Sequence, residues 1–386
     1  MAIANLGNLE MKKVLLGTSA LLGVGLLAGT AQASDGVKLS LGGYITNQFG
    51  VAFDDDSEGE AGDDVNAVGV GTDAEIYFTG SVTLDNGITV GARFDLEGGD
   101  EDGDQIDQAY AYFKGGFGDF RIGSQAGVAG NMYMLPPGST ANFGPYSPNT
   151  TGSLVSPGSF DPEGMLTGQD KSQKLAYYSP TWAGFSFGLS FTPNDDEKDY
   201  NGGDNADGSW RAASGAGDAD NNVAVGVHYD LEGDGWGLSL GGAAYFEGDV
   251  QEKAEADDEQ NGYNAGINVS FGGLTLGVAG TYLDDLNGSG EDGFSIGTGL
   301  SYNVDAWTVG AGWAHSEGEV ADLEDRVIDR VGVTGSYAMG PGIDLDAGIF
   351  YTWADADEND VDSDGDETFI DGYDSLEFSV GSSIKF

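Results

Sequence analysis

Apolar and polar residues alternate with a period of two along most of this chain. Residues 37–53 form the longest example, in which Leu39 and Leu41 share one face and Ser40 lies on the other. The end of the chain alternates in the same way and stops on Phe386. A period of two indicates a β-strand with one apolar and one polar face. A strand this long suits a tilted segment that crosses a bilayer, which takes about 9 to 11 residues, and projects beyond it.

Sixteen segments of the sequence show this alternation, each bounded by turn residues. Seven short turns alternate with eight long connections between them, and both ends of the chain fall on the short-turn side. This order predicts an all-β fold, a transmembrane antiparallel β-barrel of 16 strands with short periplasmic turns and long extracellular loops. The predicted strands are 37–53, 71–85, 87–97, 105–115, 117–123, 171–180, 184–193, 222–231, 235–247, 261–271, 273–283, 293–303, 305–315, 327–339, 342–354 and 373–386.

The composition agrees with a closed barrel. Glycine accounts for 67 of the 386 residues, and only 39% of the chain is hydrophobic. In hydrocarbon every backbone N–H and C=O must be paired within the protein, and a closed ring of strands achieves this without a free edge. Only the outer face then has to be apolar. The inner face lines water, which accounts for the Ser, Thr, Asn and Gln residues at alternate positions.

The N-terminal segment is a targeting signal and does not enter the fold. Two lysines precede a run of about 15 apolar residues, too short for a transmembrane helix of about 20. Ala31-Gln32-Ala33 then provides a small-x-small cleavage site, with Met11 as a second candidate for the start of the chain. The chain has no cysteine, which fits a bacterial envelope protein stabilised without disulfides. We therefore predict a signal peptide, 1–33, followed by the barrel, 34–386.

The charge of the chain is strongly negative. Lys and Arg number 14 against 65 Asp and Glu, which gives a formal net charge of -51. Such a charge excludes electrostatic binding to nucleic acid or to anionic lipid headgroups, whereas cations are attracted. The long connections 54–70, 248–260 and 355–372 carry seven, six and nine acids. Acids at the mouth of a barrel predict cation preference, although adaptation to saline surroundings would leave the same pattern.

Residues 360–371, DVDSDGDETFID, space their acids almost as an EF-hand loop does. An EF-hand needs a helix on each side, and here predicted strands flank the segment, so a calcium sensor is excluded. Weak calcium binding at an extracellular loop and a plain solvated acidic rim both stay open. The candidate calcium ligands are Asp360, Asp362, Asp364, Asp366 and Asp371.

Three stretches resemble the Gram-negative general porins, the trimeric sixteen-stranded kind. They are KLSLGGYITNQFG at 38–50, YAYFKGGFGDFRIGSQ at 110–125 and the terminal EFSVGSSIKF. The resemblance implies a homotrimer in the outer membrane, in contact with lipid and lipopolysaccharide. It implies passive diffusion of small hydrophilic solutes and ions, no required cofactor and no enzymatic activity. It also implies that the barrel-assembly machinery reads the terminal Phe386.

The same resemblance places the third long loop inside the barrel, where it narrows the pore. The third connection here, Ser124 to Asp170, is the longest and holds six of the nine prolines. It is almost uncharged up to Asp161, unlike the other long loops. We therefore expect this loop to fold into the pore, with a surface flap as the alternative.

General porins oppose carboxylates on that loop to bases on the facing wall. Strand parity places three bases on the inner face, and a Lys or Arg facing lipid near the midplane would cost about 2–4 kcal/mol. The predicted constriction therefore consists of Arg93, Arg121, Lys174, Asp161 and Glu163. The alternative is that these bases only balance nearby wall acids such as Asp95 and Glu97.

Two alternatives to a diffusion channel are a surface barrel without an open channel and a barrel enzyme. A structural or divalent-cation-binding surface barrel would carry the same acidic loops without an open channel. A barrel enzyme would need a histidine paired with an acid or a serine, and the chain has only two histidines, His228 and His315.

Overall fold

The computed structural model describes residues 36–54, 66–98, 106–140, 142–146, 171–194, 219–250, 260–284, 292–318, 326–355 and 373–386. Sixteen long antiparallel strands form one sheet in which consecutive strands are neighbours. The strands are β1 Lys38–Asp54, β2 Val68–Thr83, β3 Thr89–Gly98, β4 Ile106–Gly115, β5 Gly118–Ser124, β6 Gln173–Tyr178, β7 Phe185–Asn194, β8 Ala219–Gly233, β9 Trp236–Phe246, β10 Asn261–Phe271, β11 Leu274–Asp284, β12 Gly293–Val304, β13 Trp307–Gly318, β14 Arg326–Gly340, β15 Ile343–Asp355 and β16 Tyr373–Lys385.

The sheet closes on itself because β1 also pairs with β16. Their register runs from Tyr44 opposite Lys385 to Asp54 opposite Ser375. A two-residue strand, Asp249–Val250, adds a short pairing at the start of β8. The predicted 16-stranded antiparallel barrel is confirmed, and the tenth strand has the predicted bounds, 261–271.

Alternation along each strand separates an outer apolar face from an inner polar one. On β15, Leu345 and Ile349 point outward and are 45% and 49% exposed, whereas Asp346 and Phe350 point inward and are buried. An exposed apolar belt of this kind would be unfavourable in water and is stable against lipid chains. The burial pattern therefore identifies the outside of the barrel as its membrane face.

The short turns lie at one rim of the barrel, together with the start of β1 and the end of β16. Gly342, in the turn between β14 and β15, has a φ of 73°, and its carbonyl accepts a hydrogen bond from Lys385 N at 2.7 Å. At the same rim Gly43 and Phe386 exchange two backbone hydrogen bonds of 3.0 Å each. The predicted placement of the C-terminal residue on the short-turn side is confirmed.

Aromatic side chains mark the two rims of the outer face. Tyr263 stacks with Tyr282 near the long connections, at a ring separation of 6.3 Å. Trp307 packs against Tyr337 at 4.6 Å near the short turns. Aromatic belts at these positions are typical of membrane–water interfaces.

One helical turn, α1 (Val128–Met132), lies inside the barrel in the third connection. The alternation of the sequence did not predict it. Its Val128, Ala129 and Met132 are buried in an apolar cluster with small wall residues such as Ala224 and Ala243. Among the described residues, no helix is long and apolar enough to cross a membrane.

Candidate functional site

The first half of the third loop is fixed to the inner wall by side chains of the wall strands. Ser190 of β7 accepts a hydrogen bond from Val128 N at 3.1 Å, and His228 Nε2 donates to Met132 O at 2.8 Å. Asn264 of β10 then bonds both backbone groups of Met134, which puts the loop on the pore wall.

The second half of the described loop continues around the wall. Thr334 Oγ1 of β14 donates to Gly138 O at 2.7 Å, and Asn142 Nδ2 donates to Asp346 Oδ2 of β15 at 2.8 Å. The loop therefore follows the inner wall from β7 to β15 instead of lying on the outer surface. The expectation that the third loop enters the barrel is confirmed, and the surface flap is excluded for these residues.

Glycines on the wall allow this close approach. The hydroxyl of Tyr146 bonds to Pro137 O at 2.7 Å and Thr298 O at 2.9 Å, so the ring lies against the wall. A Cβ at Gly299 or Gly312 would overlap that hydroxyl. Only glycine leaves room for an aromatic ring at these two positions. Because Tyr146 is buried on the loop, the pKa of its phenol is raised above its ordinary value.

Arg93 faces the lumen, as its parity predicts. Its Nε bonds to Asp95 Oδ1 at 2.6 Å, and its guanidinium lies 4.2 Å from the ring centre of Tyr77. Asp95 is fully buried and also accepts from Gln108, whose side-chain oxygen accepts from Ala126 N at the base of the loop. Arg93 therefore forms an ion pair with a wall acid, and its position opposite Asp161 and Glu163 stays a prediction.

Arg121 is arranged in the same way two strands further along. Its Nη2 lies 3.0 Å from Asp119 Oδ2, and its guanidinium lies 4.6 Å from the ring centre of Tyr178. Lys114, whose direction the sequence left ambiguous, approaches the same carboxylate at 3.6 Å and so also points inward.

Lys174 points inward but does not occupy the open wall of the pore. It is only 3% exposed, and its Nζ donates to Gln125 O at 2.6 Å and Ser172 O at 2.9 Å. The predicted inward direction of Lys174 agrees with the structure, and its place opposite Asp161 and Glu163 stays a prediction. Its ammonium joins the two ends of the third loop by donating to one backbone carbonyl at each end. Asp161 and Glu163 lie outside the described residues.

Arg330 is an inner-wall base that the sequence analysis missed. Its Nη2 lies 3.1 Å from Glu377 Oε2, its guanidinium lies 4.4 Å from the ring centre of Phe350, and it is 2% exposed. The signal was available, because Val331 and Val333 form the apolar face of this strand and Arg330 has the opposite parity.

The two histidines differ in position. His228 faces the lumen and supports the loop, as described above. His315 points outward near the end of β13, with Nδ1 3.1 Å from Asp329 Oδ1 and its ring stacked with Trp313. A histidine–acid pair therefore exists, but it lies on the membrane side of the barrel.

The proposed calcium ligands Asp360, Asp362, Asp364, Asp366 and Asp371 lie outside the described residues. Within the described ranges, no group of three or more His, Asp or Glu side chains is arranged to hold a metal ion.

Comparison with known proteins gives concordant results. A family model described as Gram-negative porin matches residues 17–359. No curated protein sequence matches the chain significantly. Three solved structures cover 91–92% of this chain and are covered by it completely. They are a loop L8 deletion mutant of OmpT, an outer membrane protein of Vibrio cholerae (14% identity, TM-score 0.58), an anion-selective porin from Comamonas acidovorans (13%, 0.58), and OmpF of Salmonella typhi in complex with daunomycin (16%, 0.54).

At these identities the structural likeness shows a common fold. The family match is independent of it and extends over most of the sequence. The closed barrel, its apolar outer face and its loop-lined interior agree with both. The chain therefore belongs to the Gram-negative porin family, whose members form channels for solutes across the outer membrane.

Proposed function

We propose that this porin is a passive diffusion channel for small hydrophilic solutes and ions with a preference for cations. The observation that carries the proposal is the balance of charges on the described inner wall. Arg93, Arg121 and Arg330 each form an ion pair with a wall carboxylate. The inward carboxylates Asp73, Glu75, Asp344 and Asp346 form no direct ion pair with any described residue, and Lys171 and Lys385 act on Glu75 and Asp346 only through space.

These unpaired carboxylates leave a negative potential in the lumen. A paired guanidinium contributes little net field at a distance, whereas an unpaired carboxylate in a narrow, low-dielectric channel attracts counter-ions. The acidic connections at the mouth, already evident in the sequence, act in the same direction. Cations are therefore enriched along the path relative to anions.

The fold alone does not decide ion preference. The Comamonas acidovorans protein of similar fold is an anion-selective porin. Preference must then follow from the residues on the wall and at the mouth, which is why the proposal depends on the four unpaired acids.

The test is the reversal potential of the purified protein in planar bilayers under a KCl gradient. We expect its sign to report potassium preference, and the preference to decrease in an Asp73→Asn/Glu75→Gln variant. A matched control is Asp292→Asn, since Asp292 lies on the outer face, where its carboxylate accepts from Tyr282. Anion preference in the wild type would overturn the proposal. Bilayers without any conductance would favour the structural surface barrel instead.

We also propose the assembly state and surroundings that the resemblance implies. One solved structure of Vibrio cholerae OmpT is described as a trimer form, which supports a homotrimer. Native mass spectrometry of the detergent-solubilised protein tests this, and a monomer would contradict it. Contacts with lipopolysaccharide and recognition of Phe386 by the assembly machinery belong to the same proposal, and no catalytic role is proposed.

Calcium binding at the acidic loop 355–372 is a separate proposal, based on the spacing of its acids. Calorimetry of the wild type against an Asp362→Asn/Asp364→Asn variant tests it. Equal calcium uptake by both proteins would dispose of the site.

A further inference from the structure

A continuous row of tyrosine and arginine side chains crosses the inner wall over six adjacent strands, β1 to β6. We call it the tyrosine–arginine ladder. Its members, one from each strand, are Tyr44, Tyr77, Arg93, Tyr110, Arg121 and Tyr178.

One ring contact and three cation–π contacts connect members of the ladder, and Arg93 and Tyr110 are joined by strand register. The rings of Tyr44 and Tyr77 are 6.3 Å apart, and Arg93 lies 4.2 Å from the centre of the Tyr77 ring. Tyr110 is directly opposite Arg93 in the β3–β4 register and 5.4 Å from the guanidinium of Arg121. The distances from a guanidinium to a ring centre lie within the range of about 6 Å at which a cation is attracted to an aromatic face.

The charges of the ladder are neutralised at the edges of the two guanidinium groups. Arg93 Nε bonds to Asp95, and Arg121 bonds through Nε and Nη2 to Asp119. The carboxylates occupy hydrogen-bonding edges, so the planar surfaces remain for stacking. A solute that meets this wall therefore encounters planar π-surfaces more than a net positive charge.

Most of the ladder, from β1 to β5, lies on the part of the wall that the described loop residues do not line. The wall contacts of residues 128–142 fall on strands β7 to β16, and those to β6 include Asn131, whose Nδ2 donates to Tyr178 Oη at 2.9 Å. The side chains of Arg93 and Arg121 retain 33% and 25% exposure. The open lumen of the described barrel therefore runs beside the ladder.

A cavity of about 330 Å³ opens next to the last two members of the ladder. It is lined by Arg121 and Tyr178 on the wall and by Asn131 and Met132 of α1. Small-molecule sites usually measure about 300–1,000 Å³ and combine apolar surface with a few polar groups. The volume of the cavity falls within this range, and its lining is more polar than apolar.

We propose that the ladder retains planar aromatic solutes as they pass, in preference to non-planar solutes of the same charge and similar size. An aromatic ring stacks on the guanidinium planes and tyrosine faces, whereas a saturated ring makes only ordinary van der Waals contact. This inference rests on the proposed channel function, because a solute has to enter the lumen to meet the ladder.

The test compares phenylalanine with cyclohexylalanine, two zwitterions that differ in the planarity of the ring. Interruptions of the single-channel current are recorded with each solute in planar bilayers. We expect phenylalanine to stay about two- to five-fold longer, the ratio that corresponds to one exposed aromatic–cation contact. In a Tyr77→Leu/Tyr178→Leu variant the two residence times become equal.

Two further variants separate stacking from folding. Tyr302→Leu changes an outward tyrosine that is 49% exposed, and it is expected to keep the wild-type ratio. Arg93→Lys/Arg121→Lys keeps both positive charges beside their carboxylates but removes the planar groups, so the ratio falls.

Each outcome bears on the proposal. Equal residence times in a conducting wild-type channel overturn the ladder and leave the channel function intact. If both ladder variants keep the wild-type ratio of residence times, the aromatic contact lies elsewhere in the channel and the ladder proposal is also overturned. A wild type that does not conduct overturns the channel function, and the ladder with it.

Discussion

Asn264 binds both backbone groups of Met134 in the third loop, and its replacement by alanine tests how this part of the loop is fixed. Its amide oxygen accepts from Met134 N at 2.6 Å, and its Nδ2 donates to Met134 O at 3.1 Å. The side chain is buried, and it also donates to Thr281 on the neighbouring strand. Asn264→Ala removes both hydrogen bonds to the loop and leaves the strand pairing of the wall in place.

The loss of free energy in the docked loop follows from the two backbone groups of Met134 that are left without partners. A buried polar group that loses its hydrogen bond costs about 1–3 kcal/mol, so the docked loop loses about 2–6 kcal/mol. Since about 1.4 kcal/mol corresponds to a factor of ten, the undocked population rises at least about thirty-fold. The barrel stays folded because its strands are paired through the backbone.

Amide hydrogen exchange measured by mass spectrometry reports this population directly. We expect exchange of the peptide containing Met134 to accelerate by that factor, together with increased noise in the open-channel current. A matched control is Asn303→Ala, which removes one exposed hydrogen bond to Thr308 at a turn. Unchanged protection of Met134 in Asn264→Ala would refute the reasoning, because the loop would then be held by other contacts.

Three further predictions concern stability and assembly. Arg330→Met leaves the buried Glu377 without its guanidinium and should cost about 3–5 kcal/mol in thermal or denaturant unfolding, with partial recovery when Glu377→Gln is added. Tyr146→Phe should abolish an alkaline loss of loop protection. Because the pKa of the phenol is raised in the folded protein, its contribution to the stability of the docked loop is complete below about pH 10 and declines as the pH rises further. Hydrogen exchange of the loop measured at several pH values checks this. Deleting Phe386 removes both backbone bonds to Gly43 and should lower the amount of folded barrel recovered from outer membranes, while wild-type recovery would contradict it.

The strands were predictable because the alternation that defines them involves only residues that are neighbours along the chain. Alternation along the chain identifies a strand and its faces, so the sequence predicted the barrel, its closure and the inward direction of Arg93 and Arg121. Alternation carries no information on what covers a side chain. Lys174 has the predicted direction, yet its ammonium is enclosed by carbonyls at positions 125 and 172.

The path of the loop could not be predicted for a related reason. Met134 is 130 positions from the asparagine that binds it, and Asn142 is 204 positions from Asp346. Contacts at such separations depend on the whole barrel having formed. The missed Arg330 is different, because parity alone would have placed it on the inner wall.

The glycines beneath the loop have a consequence for the bore of the channel. At Gly299 and Gly312 the wall is as thin as a polypeptide can be, and Tyr146 fills the space that side chains would otherwise take. An alanine at either position would push the loop toward the axis and narrow the passage without altering any group that a solute touches. The width of this channel therefore depends partly on glycines that lie behind the loop. Substitutions there can change the width without changing the residues of the exposed wall.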